Sequence, residues 1–230
     1  MKTVGIIGGI APESTIQYYR LIVAGYREHK RDGNYPSILI NSINMKQMLD
    51  LIAAKRLPET IQYLKGEIDK LARAGADFCV LASNTPHLVF DDLEAASPIP
   101  LISIVRATCQ RADGLGLKRV GLFGTRFTMQ GGFYDREFEK RGMFVVLPAD
   151  DDQAYIHEKY MAELVNGTIL GETKAGLLRI VNRLKREQKI QGLVLGGTEL
   201  PLILKNGDDP EIPFLDTTSI HVRSIIEQLL

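Results

Sequence analysis

The sequence predicts an α/β protein built from two pseudo-symmetric, doubly wound parallel-sheet domains. Short apolar runs alternate with longer amphipathic stretches along the 230 residues, which is the pattern of βαβ units around a parallel sheet. Motifs also recur in the same order: residues 4–9 (VGIIGG) return as 120–125 (VGLFGT), 81–85 (LASNT) as 195–199 (LGGTE), and 99–103 (IPLIS) as 212–216 (IPFLD). The partners Gly5 and Gly121, Ser83 and Gly197, and Ile99 and Ile212 are 116, 114 and 113 positions apart. Such a repeat indicates duplicated architecture.

The first repeat contains four apolar runs that are short enough to be strands. They cover residues 3–8, 37–42, 78–82 and 100–104. Helical patterns at 14–28 and 58–74 lie between these runs. Since crossovers between parallel strands are right-handed, a doubly wound sheet is the expected arrangement.

The second repeat has the same sequence of elements, with strands expected at 119–123, 143–147, 192–196 and 213–216. Its helical patterns cover 132–141, 153–166 and 173–188. We expect one domain at 1–100 plus 208–230 and the other at 101–207. The last segment is assigned to the first domain because the strand after Pro213 corresponds to the one after Pro100.

The composition excludes several classes of protein. It is 45% apolar and 24% charged, with 28 basic and 28 acidic residues, so nothing indicates an electrostatic nucleic-acid or membrane binder. The two cysteines favour a reducing compartment over a disulfide framework. No apolar run reaches the roughly 18 residues of a membrane helix. A strand beginning at Thr3 leaves no room for a signal peptide, so we expect a soluble, cytoplasmic protein.

Four small or hydroxylic motifs follow predicted strands, where open parallel sheets bind their ligands. They are residues 8–15 (GGIAPEST), 83–87 (SNTPH), 124–128 (GTRFT) and 196–199 (GGTE). Backbone N–H groups at helix N-termini attract carboxylates or phosphates, and the alternative role of these residues is helix capping. Two similar halves can also face each other across a cleft. The candidate ligand-binding residues are Ile10, Met45, Lys46, Asn84, Thr85, Thr125, Thr128 and Thr198.

Several familiar sites are absent from the sequence. Residues 5–9 do not spell the dinucleotide motif G-x-G-x-x-G, no P-loop is present, and Ser83 lacks the G-x-S-x-G elbow of serine hydrolases. The four histidines have no metal-ligand spacing, so we expect no metal ion. Since the nucleotide-binding motifs are missing as well, we expect no cofactor.

The motifs SNTPH and GGTEL, with the opening GG-x-x-PEST, resemble those of the aspartate/glutamate racemase family, which works without pyridoxal phosphate. The resemblance covers essentially the whole chain. It implies two pseudo-symmetric α/β domains with the active-site cleft between them, a small carboxylate or amino-acid substrate, and commonly a homodimer. The family's racemases carry one cysteine on each side of the cleft, and one thiolate removes the α-proton while the opposite thiol returns one.

Both family thiols are missing, because Ser83 and Gly197 occupy the two cysteine positions. A thiol can be tuned into a base, whereas a serine hydroxyl needs a partner that accepts its proton. Cys79, on a predicted strand, and Cys109, in a helical stretch, are expected to be small buried hydrophobes. The two-thiol mechanism is therefore unavailable to this chain.

Other groups are candidates for the acid–base role. A desolvated Glu199 can act as a base, and the alternative is a helix-terminus carboxylate stabilised by the helix dipole. Ser83 can donate a hydrogen bond to a carboxylate or enolate. The remaining candidates, for which capping or surface roles are the alternative, are Glu13, His87, Asp216 and His221 near the site and Lys46, Arg126 and Lys159 as charge partners.

Three functions remain open from the sequence. The first is an amino-acid racemase with reassigned bases, and the second is a related decarboxylase or isomerase. The third is a carboxylate-binding protein without catalysis. The intact Asn84-Thr85 and Thr198-Glu199 pairs favour an enzyme, and the missing thiols favour the binding protein.

Overall fold

The computed structural model describes residues 2–230, which divide into two compact units. The first consists of residues up to Ile104 together with His221–Leu230, and the second of Val105–Ile220. Each unit contains a four-stranded parallel sheet with flanking helices. The predicted fold class is thereby confirmed.

The sheet of the first unit has the order β2-β1-β3-β4. Its strands are β1 (Thr3–Gly8), β2 (Ser37–Ser42), β3 (Phe78–Leu81) and β4 (Leu101–Ile102). Val4 of β1 aligns with Ile38 of β2 and with Phe78 of β3, so β1 is hydrogen bonded on both sides. The helical segments of this part of the chain are α1 (Pro12–Lys30), α2 (Met45–Ala53), α3 (Leu57–Arg73), the 3-10 turn Thr85–Val89 and α4 (Phe90–Ala96).

The core of the first unit joins α1 to the C-terminal helix α11 (Thr217–Leu229). Tyr18, Ile22 and Tyr26 recur at helical spacing on α1 and are buried in one cluster with Val222 and Ile225 of α11. This cluster also contains the inward side chains of β1 and β3. The C-terminal helix is therefore part of the first unit's core.

The second unit repeats the topology, with the strand order β6-β5-β7-β8. Its strands are β5 (Arg119–Gly124), β6 (Phe144–Val146), β7 (Gly192–Gly196) and β8 (Phe214–Asp216). The helices are α5 (Ile104–Gly114), α6 (Arg126–Gln130), α7 (Phe133–Glu139), α8 (Asp150–Ala162), α9 (Gly171–Arg183) and α10 (Leu200–Ile203). A 3-10 turn (Leu164–Asn166) follows α8, and α9 continues into a π-helical turn (Leu184–Gln188).

The last strand and the start of α8 differ from the sequence-based expectation. The strand after Pro213 pairs with β7, so residues 208–220 belong to the second unit, and the chain returns to the first unit only at His221. Helix α8 begins at Asp150 rather than at residue 153, because Asp150, Asp151 and Asp152 interact favourably with the helix dipole in the first turn. Within residues 2–230, every helix is too short or too polar to cross a membrane.

Candidate active site

The four predicted motifs follow the two inner strands of each sheet. In the first unit they come after β1 and β3, which are neighbours, and in the second unit after β5 and β7, which are also neighbours. Because parallel strands end at the same edge of their sheet, each unit presents one pair of motifs at its carboxyl edge.

The first motif is held by hydrogen bonds among its own residues. The Gly9 N–H donates to Thr15 Oγ1 at 2.8 Å, and Ser14 Oγ donates to the Ala11 carbonyl at 2.8 Å. Ser14 Oγ also lies 3.3 Å from the Ala82 carbonyl, at the end of β3. These hydroxyls therefore shape the loop around Ile10, which is buried. This is the capping alternative for Ser14 and Thr15.

His87 stabilises the turn that carries Ser83. Its Nε2 accepts the Ile104 N–H at 3.3 Å, so the proton resides on Nδ1, which donates to the Ser83 carbonyl at 3.1 Å. The ring also stacks on Phe90 with centroids 4.7 Å apart. Ser83 and the neighbouring Asn84 and Thr85 are buried. His87 is thus a neutral structural residue that fixes the Ser83 backbone.

In the second unit, the third motif caps helix α6. Thr125 Oγ1 accepts the Thr128 N–H at 3.2 Å, and the two hydroxyl oxygens are 3.2 Å apart. The Arg126 N–H donates to Nδ1 of His157 on α8 at 3.2 Å. Burial, followed by the charge of Arg126, lowers the pKa of His157. The hydroxyls of Thr125 and Thr128 are therefore engaged with each other, in agreement with the capping alternative.

Glu199 is a buried carboxylate at the end of the fourth motif, and its exposed fraction is only 2%. Thr198 Oγ1 donates to Glu199 Oε2 at 2.8 Å, and the Tyr160 hydroxyl of α8 donates to the same oxygen. Burial and then the charge of Glu199 raise the pKa of Tyr160 well above its ordinary value. Tyr160 is therefore a hydrogen-bond donor at neutral pH, and Glu199 is the acceptor.

The space beside Gly197 is filled by the ring of Tyr160. A Cβ added to Gly197 would lie 3.0 Å from both Cζ and the hydroxyl oxygen of Tyr160, and closer still to Cε2. Cβ atoms do not approach neighbours so closely in relaxed structures, so any side chain here displaces the ring.

Tyr160 was not among the candidate residues predicted from the sequence. This residue lies on α8, outside the motif that it completes. The available signal was its spacing from Ile156, which placed both residues on the buried face of α8.

The candidates Met45, Lys46 and Lys159 lie outside the four motifs. Met45 and Lys46 lie in the first turn of α2, and Lys46, whose side chain is 81% exposed, pairs with Asp50 at 2.6 Å. Lys46 and Asp50 also border a surface pocket of about 630 Å³. Lys159 pairs with Glu163 at 2.6 Å. The charge of Lys46 is therefore compensated within α2, and that of Lys159 by the residue that directly follows α8.

Asp216 and His221 have structural roles in α11. Asp216 Oδ1 accepts the Thr218 N–H at 2.9 Å, which makes Asp216 the helix cap. His221 Nδ1 lies 2.8 Å from the Tyr18 hydroxyl, and its Nε2 lies 3.0 Å from the Ile102 carbonyl. Since only a ring N–H can satisfy a carbonyl, Nε2 carries the proton and Nδ1 accepts from Tyr18.

Neither cysteine is suited to act as a base. Cys79 lies on β3, where burial raises its pKa to about 12, and burial is the largest cause that raises the pKa of Cys109 to about 11. Both thiols are free. Among residues 2–230, no group of three or more His, Cys, Asp or Glu side chains could hold a metal ion.

Comparison with known proteins gives a consistent result. Residues 7–225 match the family described as Asp/Glu/hydantoin racemase. The broad specificity amino-acid racemase RacX of Bacillus subtilis is 24% identical over 99% of this chain and 98% of its own length.

Solved structures share the fold along the whole chain. An aspartate racemase homologue from Pyrococcus horikoshii is 35% identical, with a TM-score of 0.86 over 100% of this chain and 99% of the other. The aspartate racemase of Picrophilus torridus, at 22% identity and a TM-score of 0.79, covers 100% of this chain and 94% of its own, and this likeness concerns the fold alone.

Proposed function

Since the chain belongs to the Asp/Glu/hydantoin racemase family, we propose that it is an amino-acid racemase that exchanges the α-proton with an oxygen base in place of the two thiols. Glu199 takes the α-proton, an enolate-like intermediate forms, and a water molecule in place of the opposite thiol returns a proton to the opposite face of the α-carbon. The hydroxide left by the water is neutralised by the proton on Glu199. It needs no pyridoxal phosphate. The proposal includes a homodimer, as the family resemblance implies.

The observation that carries the proposal is the buried Glu199 carboxylate beside Gly197. It lies two positions beyond the residue that replaces the second family cysteine, at the carboxyl end of β7. Two hydroxyl donors converge on one of its oxygens, so its orientation is fixed before a substrate arrives. Burial away from water strengthens its interaction with a proton on a bound substrate. We assign to Glu199 the removal of the α-proton.

Ser83 is assigned a different role, because a serine hydroxyl is a poor base without a partner. It occupies the position of the first family cysteine, and His87 fixes its backbone carbonyl. We propose that Ser83 and Asn84 donate hydrogen bonds to the substrate carboxylate, which takes on enolate character as the α-proton leaves.

The substrate class proposed is a range of small amino acids rather than one acidic amino acid. Lys46, a candidate partner for a second carboxylate, is exposed and already paired with Asp50. Lys159 is likewise paired with Glu163. The broad specificity of the Bacillus subtilis relative agrees with this proposal.

The test is α-proton exchange in deuterated water, followed by NMR on D- and L-amino acids and small dicarboxylates. Glu199→Gln should lower the exchange rate at least about 100-fold, since it removes the base, while substrate binding measured by calorimetry changes little. Glu158→Gln, the same substitution at an exposed position of α8, is the matched control and should exchange at the wild-type rate. Equal exchange in the Glu199→Gln variant would remove Glu199 from the mechanism.

The missing thiols favour one competing function, a protein that binds carboxylates without chemistry. Binding of amino acids without exchange by the wild-type protein would support that function. Exchange without inversion would instead indicate that the proton returns only to the face from which it left, and would favour a related decarboxylase or isomerase.

A further inference from the structure

We infer that Tyr160 replaces the missing side chain at position 197, its ring filling the space and its hydroxyl positioning Glu199. The steric part of this inference stands on the geometry alone, and the catalytic part rests on the function proposed for Glu199. Tyr160 acts through Glu199 and is therefore a positioning residue.

The ring of Tyr160 and a side chain at residue 197 exclude each other. Tyr160 is 6% exposed and belongs to the apolar core cluster that contains Phe123, Leu195 and Leu200. Its ring is therefore confined, and it lies within 3.0 Å of the place where a Cβ of residue 197 would be. Because packed interiors have little free volume, a tyrosine at 160 requires glycine at 197.

The hydroxyl of Tyr160 bonds to the buried carboxylate of Glu199. It donates to the same Glu199 oxygen that accepts the Thr198 hydroxyl at 2.8 Å. A buried carboxylate needs such donors to remain ionised. Tyr160 therefore favours the charged form of Glu199 and fixes the direction in which that carboxylate points.

The first experiment tests the steric part without any assay of activity. Gly197→Ala should lower the melting temperature by roughly 5 °C in the wild-type background, because the new methyl group displaces the ring. In a Tyr160→Leu background the same substitution should have little further effect. Gly171→Ala is the matched control, since no atom lies within 4 Å of the Cβ that it adds. Additive effects of Gly197→Ala and Tyr160→Leu would overturn the steric inference.

The second experiment tests the hydroxyl with Tyr160→Phe, which keeps the ring. We expect the exchange rate to fall about tenfold and the acidic limb of its pH profile to move to higher pH, because the ionised carboxylate loses a donor. Tyr155→Phe removes a hydroxyl from the same helix and should change neither quantity. An unshifted pH profile in the Tyr160→Phe variant would overturn the positioning role.

A third measurement separates failure of this inference from failure of the proposed function. If the wild-type protein exchanges no substrate, the hydrogen bond is still measurable in a double-mutant cycle of Tyr160→Phe and Glu199→Gln, read from unfolding in urea. We expect the two changes to be coupled, with the double variant more stable than the sum of the single effects predicts. Additivity would exclude the Tyr160–Glu199 interaction regardless of activity.

Discussion

The contact between Gly197 and Tyr160 gives the missing second thiol a different interpretation from the one that the sequence suggests. From the sequence, Gly197 is only the position of a missing thiol. In the structure, the ring of Tyr160 occupies that space and its hydroxyl bonds to Glu199. Thr198 and Glu199 were identified from the motif that follows β7, whereas their partner Tyr160 was not. Its contact depends on how α8 packs against the sheet, which periodicity alone does not determine.

A direct consequence concerns attempts to restore the two thiols. Ser83→Cys with Gly197→Cys should give no gain in racemisation, since the cysteine at 197 competes with the ring of Tyr160 for the same space. Adding Tyr160→Val to that pair should allow the thiol to fit, and racemisation followed by polarimetry should rise. A gain of equal size in the double variant would show that the ring moves aside freely.

Helix α11 is held in the first unit by a buried polar group as well as by apolar packing. His221 is fully buried and bonds to the Tyr18 hydroxyl on α1 and to the Ile102 carbonyl on β4. Burial lowers the pKa of His221 to about 4. The sequence placed His221 after the last strand as a candidate site residue. Its burial could not be predicted, because a histidine in a helix gives no indication of which neighbours will enclose it.

This histidine should make stability depend on pH. The folded pKa of about 4 lies below the ordinary value of 6.5, so the unfolded chain binds the proton first as the pH falls. The contribution of neutral His221 is complete above pH 6.5 and is lost as the pH falls to about 4, a change of about 3 kcal/mol in the free energy of unfolding.

Urea unfolding at pH 7.5 and 4.5 measures this contribution. His221→Gln should flatten the pH dependence, whereas His29→Gln, at an exposed position of α1, should preserve it. An unchanged pH dependence in the His221→Gln protein would contradict the assignment.

The two units have the same sheet topology, and the sequence predicted most of the strand positions. β1, β2 and β7 lie at the predicted residues, and the other strands differ by a residue or two at their ends, except for β4, which is shorter. Repetition of the motifs indicated repetition of the sheet order, which the two sheets confirm. The placement of residues 208–220 could not be predicted from the repeat, because a corresponding strand can join either sheet and only the pairing with β7 decides.

The shared sheet topology predicts which backbone amides exchange their hydrogens most slowly. Amides of β1, β3, β5 and β7 should exchange most slowly, since these strands are buried and are bonded on both sides. Amides of the edge strands β2 and β6, which are partly exposed, should exchange faster. Mass spectrometry of deuterium uptake resolves these segments. Equal protection of β2 and β1 would contradict the expectation.

The chain passes from one unit to the other after the last strand of each sheet, and this limits where it can be cut into fragments. β4 belongs to the first unit while the helix after it, α5, belongs to the second, and α11 makes the opposite change after β8. A gene cut between the two repeats would yield a first fragment without the apolar face of α11, leaving Tyr18 and Ile22 uncovered. Its other product would carry α11 without the core that receives it. A first fragment would therefore need the apolar face of α11, which is encoded at the other end of the chain, to complete its core.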